Sequence, residues 1–310
     1  MAEFNYGGQA VMEGVMMRGS TSMAVAVRAP NGEIVMHSEP LNRTIYGSWI
    51  ARVPFVRGMT MLWDTLVLGM RTLIYSADVA MQEEGQTGGQ PEAAFDGPVG
   101  WTSIALAVVV ALGLFFLLPA FLTRMVDRYI ASALLSNLIE GVVRLAFVLV
   151  YIWAVGQMSD VRRVFQYHGA EHKTIHAYEA GEPLTVQNIQ AHTTVHARCG
   201  TAFILVVMVI SVLIFALFGR PSLWLRLASR IVLLPVIVGI SYEWLKFSAK
   251  YQRHAWMRVL LAPGLLMQKL TTREPEDDMI EVAVTALKRV LEDDGLSAPA
   301  DEAARADGRV

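Results

Sequence analysis

Long apolar windows separated by polar connections dominate this 310-residue chain. About 20 apolar residues cross the hydrocarbon core of a bilayer as a helix. Four windows meet this requirement: Trp101–Leu122, Leu138–Met158, Thr201–Gly219 and a window centred on Ile231–Tyr242 that extends to Phe247. The pattern predicts a mainly α, polytopic helical membrane protein whose four transmembrane helices form a domain over residues 101–247.

A further segment, Met59–Ala80, is rich in Leu, Met and Trp but carries Asp64, Arg71 and Asp78. A charge at the bilayer centre costs at least about 2.5 kcal/mol on insertion scales. We therefore predict that residues 59–82 form an interfacial amphipathic helix, which lies on the cytoplasmic membrane face or against the bundle.

Near the N-terminus, β-prone residues flank the pair Asn31-Gly32. An Asn-Gly pair between such runs is a strong hairpin signal. The pattern predicts a small β-hairpin from residues 22–29 and 33–39, within an N-terminal cytoplasmic region of residues 1–58. A lone hairpin is marginally stable in water, so it needs a partner surface.

Beyond the last window, apolar residues recur at helical spacing over Pro275–Asp294. This spacing predicts an amphipathic helix within a cytoplasmic C-terminal region of residues 248–294. Residues 83–100 are rich in Gly, Glu, Gln and Pro, which is typical of a linker. Residues 295–310 have no apolar pattern, which is typical of a disordered tail.

Lys and Arg concentrate before the first window, in the connection 159–200 and after the last window. The positive-inside rule therefore places both termini and this connection in the cytoplasm. Three arginines in the short connection after Gly219 weigh against this orientation, although four spans fit it without contradiction. The first expected partner is the lipid bilayer itself.

The composition excludes several classes of function. Apolar residues make up 54% and charged residues 17%, below the roughly 25% charge of an average globular protein. The net charge of -2 provides no overall positive field, so no nucleic acid is indicated. No phosphate-binding glycine loop precedes a Lys-Ser/Thr pair, so no nucleotide is indicated. A single cysteine, Cys199, excludes an internal disulfide and an all-cysteine zinc site.

Five of the seven histidines lie in the connection 159–200. They are His168, His172, His176, His192 and His196. If residues 160–180 form one helix, the first three share a stripe with Glu179, and Glu171 lies at its edge. Histidines at i, i+4 lie about 6 Å apart and can share an ion. His168 and His176 cannot, because about 12 Å of helix separates them.

Within this stretch, His168-Gly-Ala-Glu171-His172 matches H-x-x-E-H. In the inverted zinc-protease pattern of this form, the two histidines bind zinc and the glutamate is the general base. The motif therefore predicts a zinc site with Glu171 as its base.

A second patch, His196 with Cys199, precedes the third window. A cysteine thiolate and an imidazole are a favourable zinc pair. Thr185 has the properties of an N-cap for a helix over Val186–His196. An antiparallel helical hairpin would then return this second patch towards His168 and His172.

A purely structural interpretation of the same residues stays open. Histidines at a membrane interface can hydrogen-bond backbone carbonyls and lipid headgroups. Glu171 and Arg198 can form a buried ion pair that fixes the hairpin. Cys199 can be a small buried side chain.

Three motifs in order carry a family resemblance: GGQAVMEGVMMRG (Gly7–Gly19), YHGAEHK (Tyr167–Lys173) and H-x-R-C-G-T (His196–Thr201). Together they resemble the YqhQ-like family of bacterial integral membrane proteins of unknown function, often labelled predicted metal-dependent enzymes. The resemblance implies the bacterial cytoplasmic (inner) membrane. The site residues that the resemblance implies in this sequence are His168, Glu171, His172, His196, Arg198 and Cys199, with Glu13 and Arg18. His176 and Glu179 are further candidates from the helical stripe alone. Ala197 stands where the family pattern has proline, which relaxes the turn but removes no ligand.

Glu13 and Arg18 have two interpretations. They can pair with each other on a packed loop, since Gly7, Gly8 and Gly14 allow tight turns there. Alternatively, Glu13 can supply a missing metal ligand and Arg18 an anion contact.

Three functions fit the sequence. The first is a metal-dependent hydrolase on the cytoplasmic side, in which zinc is held by His168, His172 and His196 or Cys199. The second is a scaffold or assembly factor for membrane proteins, with a structural histidine hairpin and a membrane-protein partner or a second copy bound by its amphipathic helices. The third is a carrier or channel that uses the intramembrane pair Glu140 and Arg144.

Overall fold

A computed structural model of the chain describes residues 6–41, 53–81, 102, 105–107, 109–111, 113–219, 222–251 and 254–297. The linker predicted at 83–100 lies outside these residues, as does the tail from residue 298 onwards. Within the described residues the protein is mainly helical with one small antiparallel sheet near the N-terminus, as the sequence pattern predicts.

Four consecutive strands form the sheet: β1 (Gly7–Val11), β2 (Gly14–Arg18), β3 (Ser22–Arg28) and β4 (Ile34–Pro40). Each strand pairs antiparallel with the next along the chain. The predicted hairpin is β3–β4, and the glycine-rich motif supplies the other two strands. The interpretation of that motif as a packed loop holds only for the turn at residues 12–13, because the residues on either side form β1 and β2.

Ten helices are described: α1 (Val56–Ala80), α2 (Leu118–Val126), α3 (Ala133–Val155), α4 (Ser159–Glu179), α5 (Val186–Gln190), α6 (Gly200–Ala216), α7 (Leu223–Val232), α8 (Leu234–Tyr251), α9 (Ala255–Thr271) and α10 (Asp277–Asp293). A π-helical turn, Gly113–Leu117, leads into α2, and a 3₁₀ turn, Asp127–Tyr129, follows it.

Three helical segments are long and apolar enough to cross a membrane: Ala105–Val126, Ala133–Val155 and Ala228–Ser248. Four were predicted. The remaining segment, α6, is apolar but shorter, because it begins after Cys199 and the chain turns at Gly219 with φ +67°. Its 17 residues span about 26 Å, against about 30 Å of hydrocarbon core.

The central strands β2 and β3 are buried on both faces, because side chains alternate along a strand and helices cover each side. One face of β2 and β3 packs on α4 and α10 through Val15, Met17, Ala24 and Ala26. The other packs on α1 through Met16, Met23, Val25 and Val27. The partner surface that the sequence required for the hairpin is thus provided by helices on either side.

Helix α10 confirms the amphipathic helix predicted at the C-terminus. Its apolar stripe is fully buried against the sheet and α4, and includes Met279, Ile280, Ala283, Leu287 and Val290. This stripe therefore packs against other parts of the same chain, whereas the scaffold hypothesis assigned it to the binding of a partner.

The acidic end of α10 has a specific partner in the β2–β3 turn. Asp294 accepts hydrogen bonds from the backbone N–H groups of Ser20 (2.8 Å) and Thr21 (2.9 Å) and from the Tyr6 hydroxyl (2.9 Å). A carboxylate at a helix C-terminus opposes the helix dipole, and these donors offset that cost.

Helix α1 is amphipathic, as predicted, and begins three residues earlier than expected. Its buried side contacts the sheet and α8, where Arg57 donates to Glu243 at 2.5 and 2.8 Å. Its other side exposes a regular apolar stripe of Val56, Met59, Trp63, Leu66, Met70 and Leu73.

Helix α9 was not predicted. It packs on α6, where Gly264 lies close to Ala202, and it buries Met257, Met267 and Gln268. Pro263 inside the helix weakens the helical signal in the sequence.

The ion pair that the carrier hypothesis places inside the membrane is present on α3. Glu140 accepts from Arg144 at 2.8 Å and from Arg230 at 3.1 Å, so it joins α3 to α7. The Arg230 guanidinium also lies 3.6 Å from the ring centre of Phe215. These ion pairs connect neighbouring helices, so a structural role is sufficient to explain the charged residues.

Candidate metal centre

Helix α4 carries the first half of the site and closely matches the helix predicted over 160–180. Gly169 lies against the segment that follows α9, since a Cβ there would come within 2.0 Å of the Arg273 carbonyl oxygen. The Arg273 N–H donates to the Phe165 carbonyl at 2.9 Å. The glycine of the H-x-x-E-H motif thus allows the end of α9 to reach the histidines.

The return segment is less helical than predicted. Thr185 caps α5 by accepting from the Asn188 N–H at 3.3 Å, as expected. The helix ends at Gln190, however, and residues 191–199 are irregular. The physical reason is that the carbonyls of Thr194 and Val195 accept hydrogen bonds from histidine rings of α4, which a continuing helix would prevent.

His168, His172 and Cys199 come together at the junction of α4 and α6. One ligand atom from each lies within 4.8 Å of the others. His168 Nε2 is 3.2 Å from Cys199 Sγ. Ligand atoms of a tetrahedral zinc ion lie about 3.3–3.6 Å apart. The group must therefore contract by only roughly 1 Å to hold such an ion.

Both histidines of this group are held in the orientation of metal ligands. His168 Nδ1 lies 2.9 Å from the Thr271 carbonyl, and His172 Nδ1 lies 2.6 Å from the Thr194 carbonyl. A carbonyl only accepts, so each Nδ1 carries the proton. The other nitrogen, Nε2, lies next to Cys199 Sγ in His168 and next to Glu171 Oε2 in His172. A proton on Nδ1 that is held by a carbonyl is the usual outer-shell arrangement of histidines that bind a metal through Nε2.

Glu171 lies beside the group. Its Oε1 accepts from the Gly8 N–H of β1 at 2.8 Å, and its Oε2 is 3.4 Å from His172 Nε2. A carboxylate oxygen and an unprotonated ring nitrogen repel each other unless a proton or a cation lies between them. The carboxylate is 5% exposed and His172 is 2% exposed, so such a cation would be shielded from water.

His196 is close but differently engaged. Its ring centre is 5.7 Å from that of His172. Its Nδ1 accepts from the Arg198 N–H at 3.3 Å, and its Nε2 faces Glu179 at 3.5 Å. Both ring nitrogens thus have protein partners, which separates His196 from the three-residue group.

Arg198 and Glu179 form an ion pair with each other. The alternative pairing of Arg198 with Glu171 was therefore wrong. The pair ties the C-terminal turn of α4 to the irregular segment, in a position that orients His196. Burial lowers the pKa of Arg198.

Glu13 and Arg18 lie in the sheet and do not pair with each other as that interpretation proposed. Glu13, at φ +49° in the β1–β2 turn, makes two 2.6 Å bonds with Arg163 of α4. Arg18 lies elsewhere on β2, where burial lowers its pKa and Asp64 and Tyr242 oppose that shift. Glu13 therefore links the β1–β2 turn to α4, because both of its carboxylate oxygens accept hydrogen bonds from Arg163.

The surroundings of His176 and His196 favour the neutral form of each ring. Burial is the largest cause that lowers the pKa of each ring, and neighbouring histidines lower that of His176 further. Neutral rings keep a lone pair for hydrogen bonding or for a metal.

Three residues of the site were missed by the sequence-based prediction. Gln268 exchanges two 2.9 Å hydrogen bonds with the backbone of His196. Thr194 and Thr271 act through their carbonyls. Backbone acceptors leave no signal in side-chain patterns, and Gln268 lies on the unpredicted α9.

These features define a mainly helical protein with membrane-length apolar helices and a small sheet that packs over a histidine–cysteine group. The chain belongs to the family described as protein of unknown function DUF1385, whose model matches residues 53–293. It is 34% identical over 298 residues to the uncharacterized protein YqhQ of Bacillus subtilis, covering 94% of each chain. The resemblance inferred from the three motifs is thereby confirmed. No solved structure matches the chain.

Proposed function

We propose that this protein is a membrane-bound, metal-dependent hydrolase with its centre on the cytoplasmic side of the bacterial inner membrane. The observation that carries the proposal is the convergence of His168, His172 and Cys199. Two imidazoles and a thiolate favour zinc over magnesium or calcium, which prefer oxygen ligands.

The topology of this proposal has four spans, with α6 as the shorter one. The sheet, α4 and α10 pack together, so these three parts of the chain lie on one side of the membrane. An even number of membrane crossings must therefore separate α4 from α10. Because α8 is one crossing, α6 must be a second crossing for the chain to end on the side where α4 lies. The deficit of about 4 Å is within what local thinning of the bilayer accommodates.

Orientation follows from charge. The side that carries the sheet and α4 also carries the arginine-rich and lysine-rich segments, which the positive-inside rule assigns to the cytoplasm. The apolar stripe of α1 then faces the membrane interface on that side, as the surface of an interfacial helix does.

In this proposal Glu171 is the general base. A metal at the centre would acidify a bound water. Glu171, fixed by the Gly8 N–H, would accept a proton from that water as the water oxygen forms a bond to the substrate. It would then deliver the proton to the leaving group as the scissile bond breaks. Arg198 would be a positioning residue, because Glu179 already engages its guanidinium.

Elemental mass spectrometry of the detergent-purified full chain, without a His tag or chelator, tests the centre. We expect near-stoichiometric zinc in the wild type and in Glu171→Gln, and its loss in His172→Ala. His37→Ala is the matched control, since His37 lies on β4 and pairs with Glu39. Absence of metal from the wild type would contradict the proposal.

A structural metal is the second candidate, favoured by the burial of Glu171, His172 and Cys199. Cobalt substitution separates the two. A catalytic site keeps an open position, so a small hydroxamate added to the cobalt protein should shift its visible spectrum. An unchanged spectrum would favour a closed, structural centre and the scaffold hypothesis.

A further inference from the structure

Helix α9 leaves one apolar part of its surface uncovered by the rest of the chain. Four of its large apolar side chains are exposed, and the most exposed of them, Val259, reaches 72%. They are Trp256, Val259, Leu260 and Leu266. At about 100° per residue, these four positions share an arc of roughly 120° around the helix. The exposure is therefore concentrated in one apolar arc and is not scattered around the helix.

Basic side chains flank the apolar arc. Arg258 and Lys269 are exposed, and both lie about 60–80° beyond one edge of the arc. The whole stretch of residues 246–273 contains six Lys or Arg and no Asp or Glu. An apolar arc beside basic residues is typical of a helix that lies in the interface of an anionic membrane, where long basic side chains extend towards the headgroups.

The contacts of α9 place it at the cytoplasmic ends of the proposed spans. Its first residue follows soon after α8, which ends at Tyr251. Its middle touches the first turn of α6, where Gly264 lies close to Ala202. Its last residue is Thr271, whose carbonyl lies 2.9 Å from His168 Nδ1. Because both ends and the middle lie near one membrane surface, the 17 residues of α9, about 26 Å long, run along this surface.

Aromatic rings mark the same level at the junction of α8 and α9. The ring centre of Tyr251 is 4.7 Å from that of Phe247 and 6.3 Å from that of Trp256. Tyr and Trp are enriched at the depth where the hydrocarbon core meets the headgroups. The cluster therefore gives a second indication, independent of the helix contacts, that α9 begins at the membrane interface.

We propose that α9 is a binding surface for anionic lipid headgroups, in which the apolar arc enters the interfacial layer and Arg258 and Lys269 bind headgroup phosphates. The inference rests on the four-span topology proposed above but needs no metal at the candidate centre. Charge favours lipid over a protein partner, because the basic residues adjoin an apolar arc at membrane level. Lys269 lies two residues before Thr271, so the bound headgroups lie beside the candidate centre.

Electron paramagnetic resonance of single nitroxide labels tests the position of α9 in the full chain. The chain is reconstituted in nanodiscs of phosphatidylcholine and phosphatidylglycerol, in a Cys199→Ser background that carries Val259→Cys, Val209→Cys of α6 or Glu292→Cys of α10. Collisions with oxygen increase with depth, and collisions with a water-soluble nickel chelate decrease. We expect the oxygen-to-nickel ratio at Val259→Cys to exceed that at Glu292→Cys at least about tenfold, as for a side chain some 5–10 Å into the interface. The ratio at Val209→Cys, in the middle of a span, should be higher still.

Spin-labelled lipids test the charge of the surface without a label on the protein. The motionally restricted fraction of spin-labelled phosphatidylglycerol, relative to phosphatidylcholine, measures headgroup preference. We expect Arg258→Gln/Lys269→Gln to lower this preference at least about twofold, because each basic side chain near the membrane surface attracts anionic lipid. Lys288→Gln/Arg289→Gln removes the same charge from α10 and should leave the preference at its wild-type value.

A water-like ratio at Val259→Cys with a lipid-like ratio at Val209→Cys would overturn the inference and leave the proposed topology standing. A label at Val259→Cys that is shielded from both oxygen and nickel would also overturn it, since a second copy or another protein would then cover α9. Water-like ratios at both positions would overturn the topology, and this inference with it. If the Cys199→Ser background misfolds, lipid preference decides: a loss in Arg258→Gln/Lys269→Gln alone supports the surface, and a wild-type value overturns it.

Discussion

The sheet layer (β1–β4 with α4 and α10) and the apolar helices α3, α6 and α8 bury their nonpolar side chains in different ways. In the sheet layer, Met17, Ile280 and Leu287 are completely buried by protein. On the apolar helices, Val142 and Leu213 are 65% and 58% exposed. The same residue types are thus enclosed by protein in one region and lie on the surface of the protein in the other, where a bilayer would cover them.

The candidate centre lies at the boundary between these regions. Cys199 caps α6, which belongs to the apolar helices, whereas His168 and His172 belong to α4. Relative movement of the two regions would therefore change the distance between the ligands. This position makes the site sensitive to substitutions on either side.

The largest contrast is expected between two leucines. Leu287→Ala removes a fully buried side chain of α10 and should lower the free energy of opening of the sheet layer by about 2–5 kcal/mol. Leu213→Ala, on the exposed side of α6, should cost under about 1 kcal/mol because lipid or detergent replaces the lost contacts. Hydrogen exchange of α10 and sheet amides in nanodiscs measures both. Equal effects would contradict the comparison.

The next largest effect is expected at Gln268 of α9, near the boundary between the sheet layer and the apolar helices. Gln268→Met preserves the shape of a fully buried side chain but removes both hydrogen bonds to the His196 backbone. Stranding two buried backbone groups should cost about 2–3 kcal/mol and weaken metal binding. Gln157→Met is the control, since Gln157 donates to the Trp153 carbonyl in an exposed setting. Thermal unfolding and metal titration measure the result, and wild-type metal affinity in Gln268→Met would show that α9 does not support the centre.

A smaller effect tests the contact of β1 with the site. A Cβ at Gly8 would come within 2.2 Å of the Met16 carbonyl oxygen and 3.1 Å of Glu171 Cγ, whereas a Cβ at Gly7 meets nothing within 4 Å. Gly8→Ala should therefore destabilise the sheet layer by about 1–3 kcal/mol and displace Glu171. Gly7→Ala should leave hydrogen exchange and metal content unchanged. Identical behaviour of the two variants would rule out a close approach at Gly8.

Most helices and the β3–β4 hairpin were predictable because their periodicity is local. The stripe of α10 and the N-cap at Thr185 are examples. The β1–β2 hairpin was missed for two reasons. Strand β2 is buried on both faces and therefore lacks the alternation of polar and apolar residues that marks a surface strand. Strand β1 begins with two glycines, a residue type that is depleted in strands.

The ligand residues were recognisable as types but their grouping was not. The H-x-x-E-H motif indicated His168 and His172, and Cys199 was a candidate because it is the single cysteine of the chain. The separation of His196 from this group depends on the irregular backbone of residues 191–199. That backbone is set by tertiary hydrogen bonds to α4, which no local pattern encodes.

The smallest effect concerns the acid stability of the sheet layer. Burial alone would raise the pKa of Asp294, but hydrogen bonds from Thr21, Ser20 and Tyr6 outweigh it and hold the pKa below its ordinary value. A carboxylate with a lowered folded pKa stabilises the protein above its unfolded pKa, about 3.9, and loses this contribution as pH falls through the folded pKa. Asp294→Asn should therefore destabilise the layer by about 1 kcal/mol at pH 7, and the difference from wild type should shrink below about pH 4.

Thermal unfolding of both proteins between pH 7 and pH 3 measures this convergence, with Glu292→Gln as the control for an exposed neighbouring carboxylate. A difference that persists undiminished at pH 3 would mean that the β2–β3 turn is held by hydrogen-bond geometry independent of charge. Convergence would show that an ionised carboxylate at the C-terminus of α10 stabilises the sheet layer.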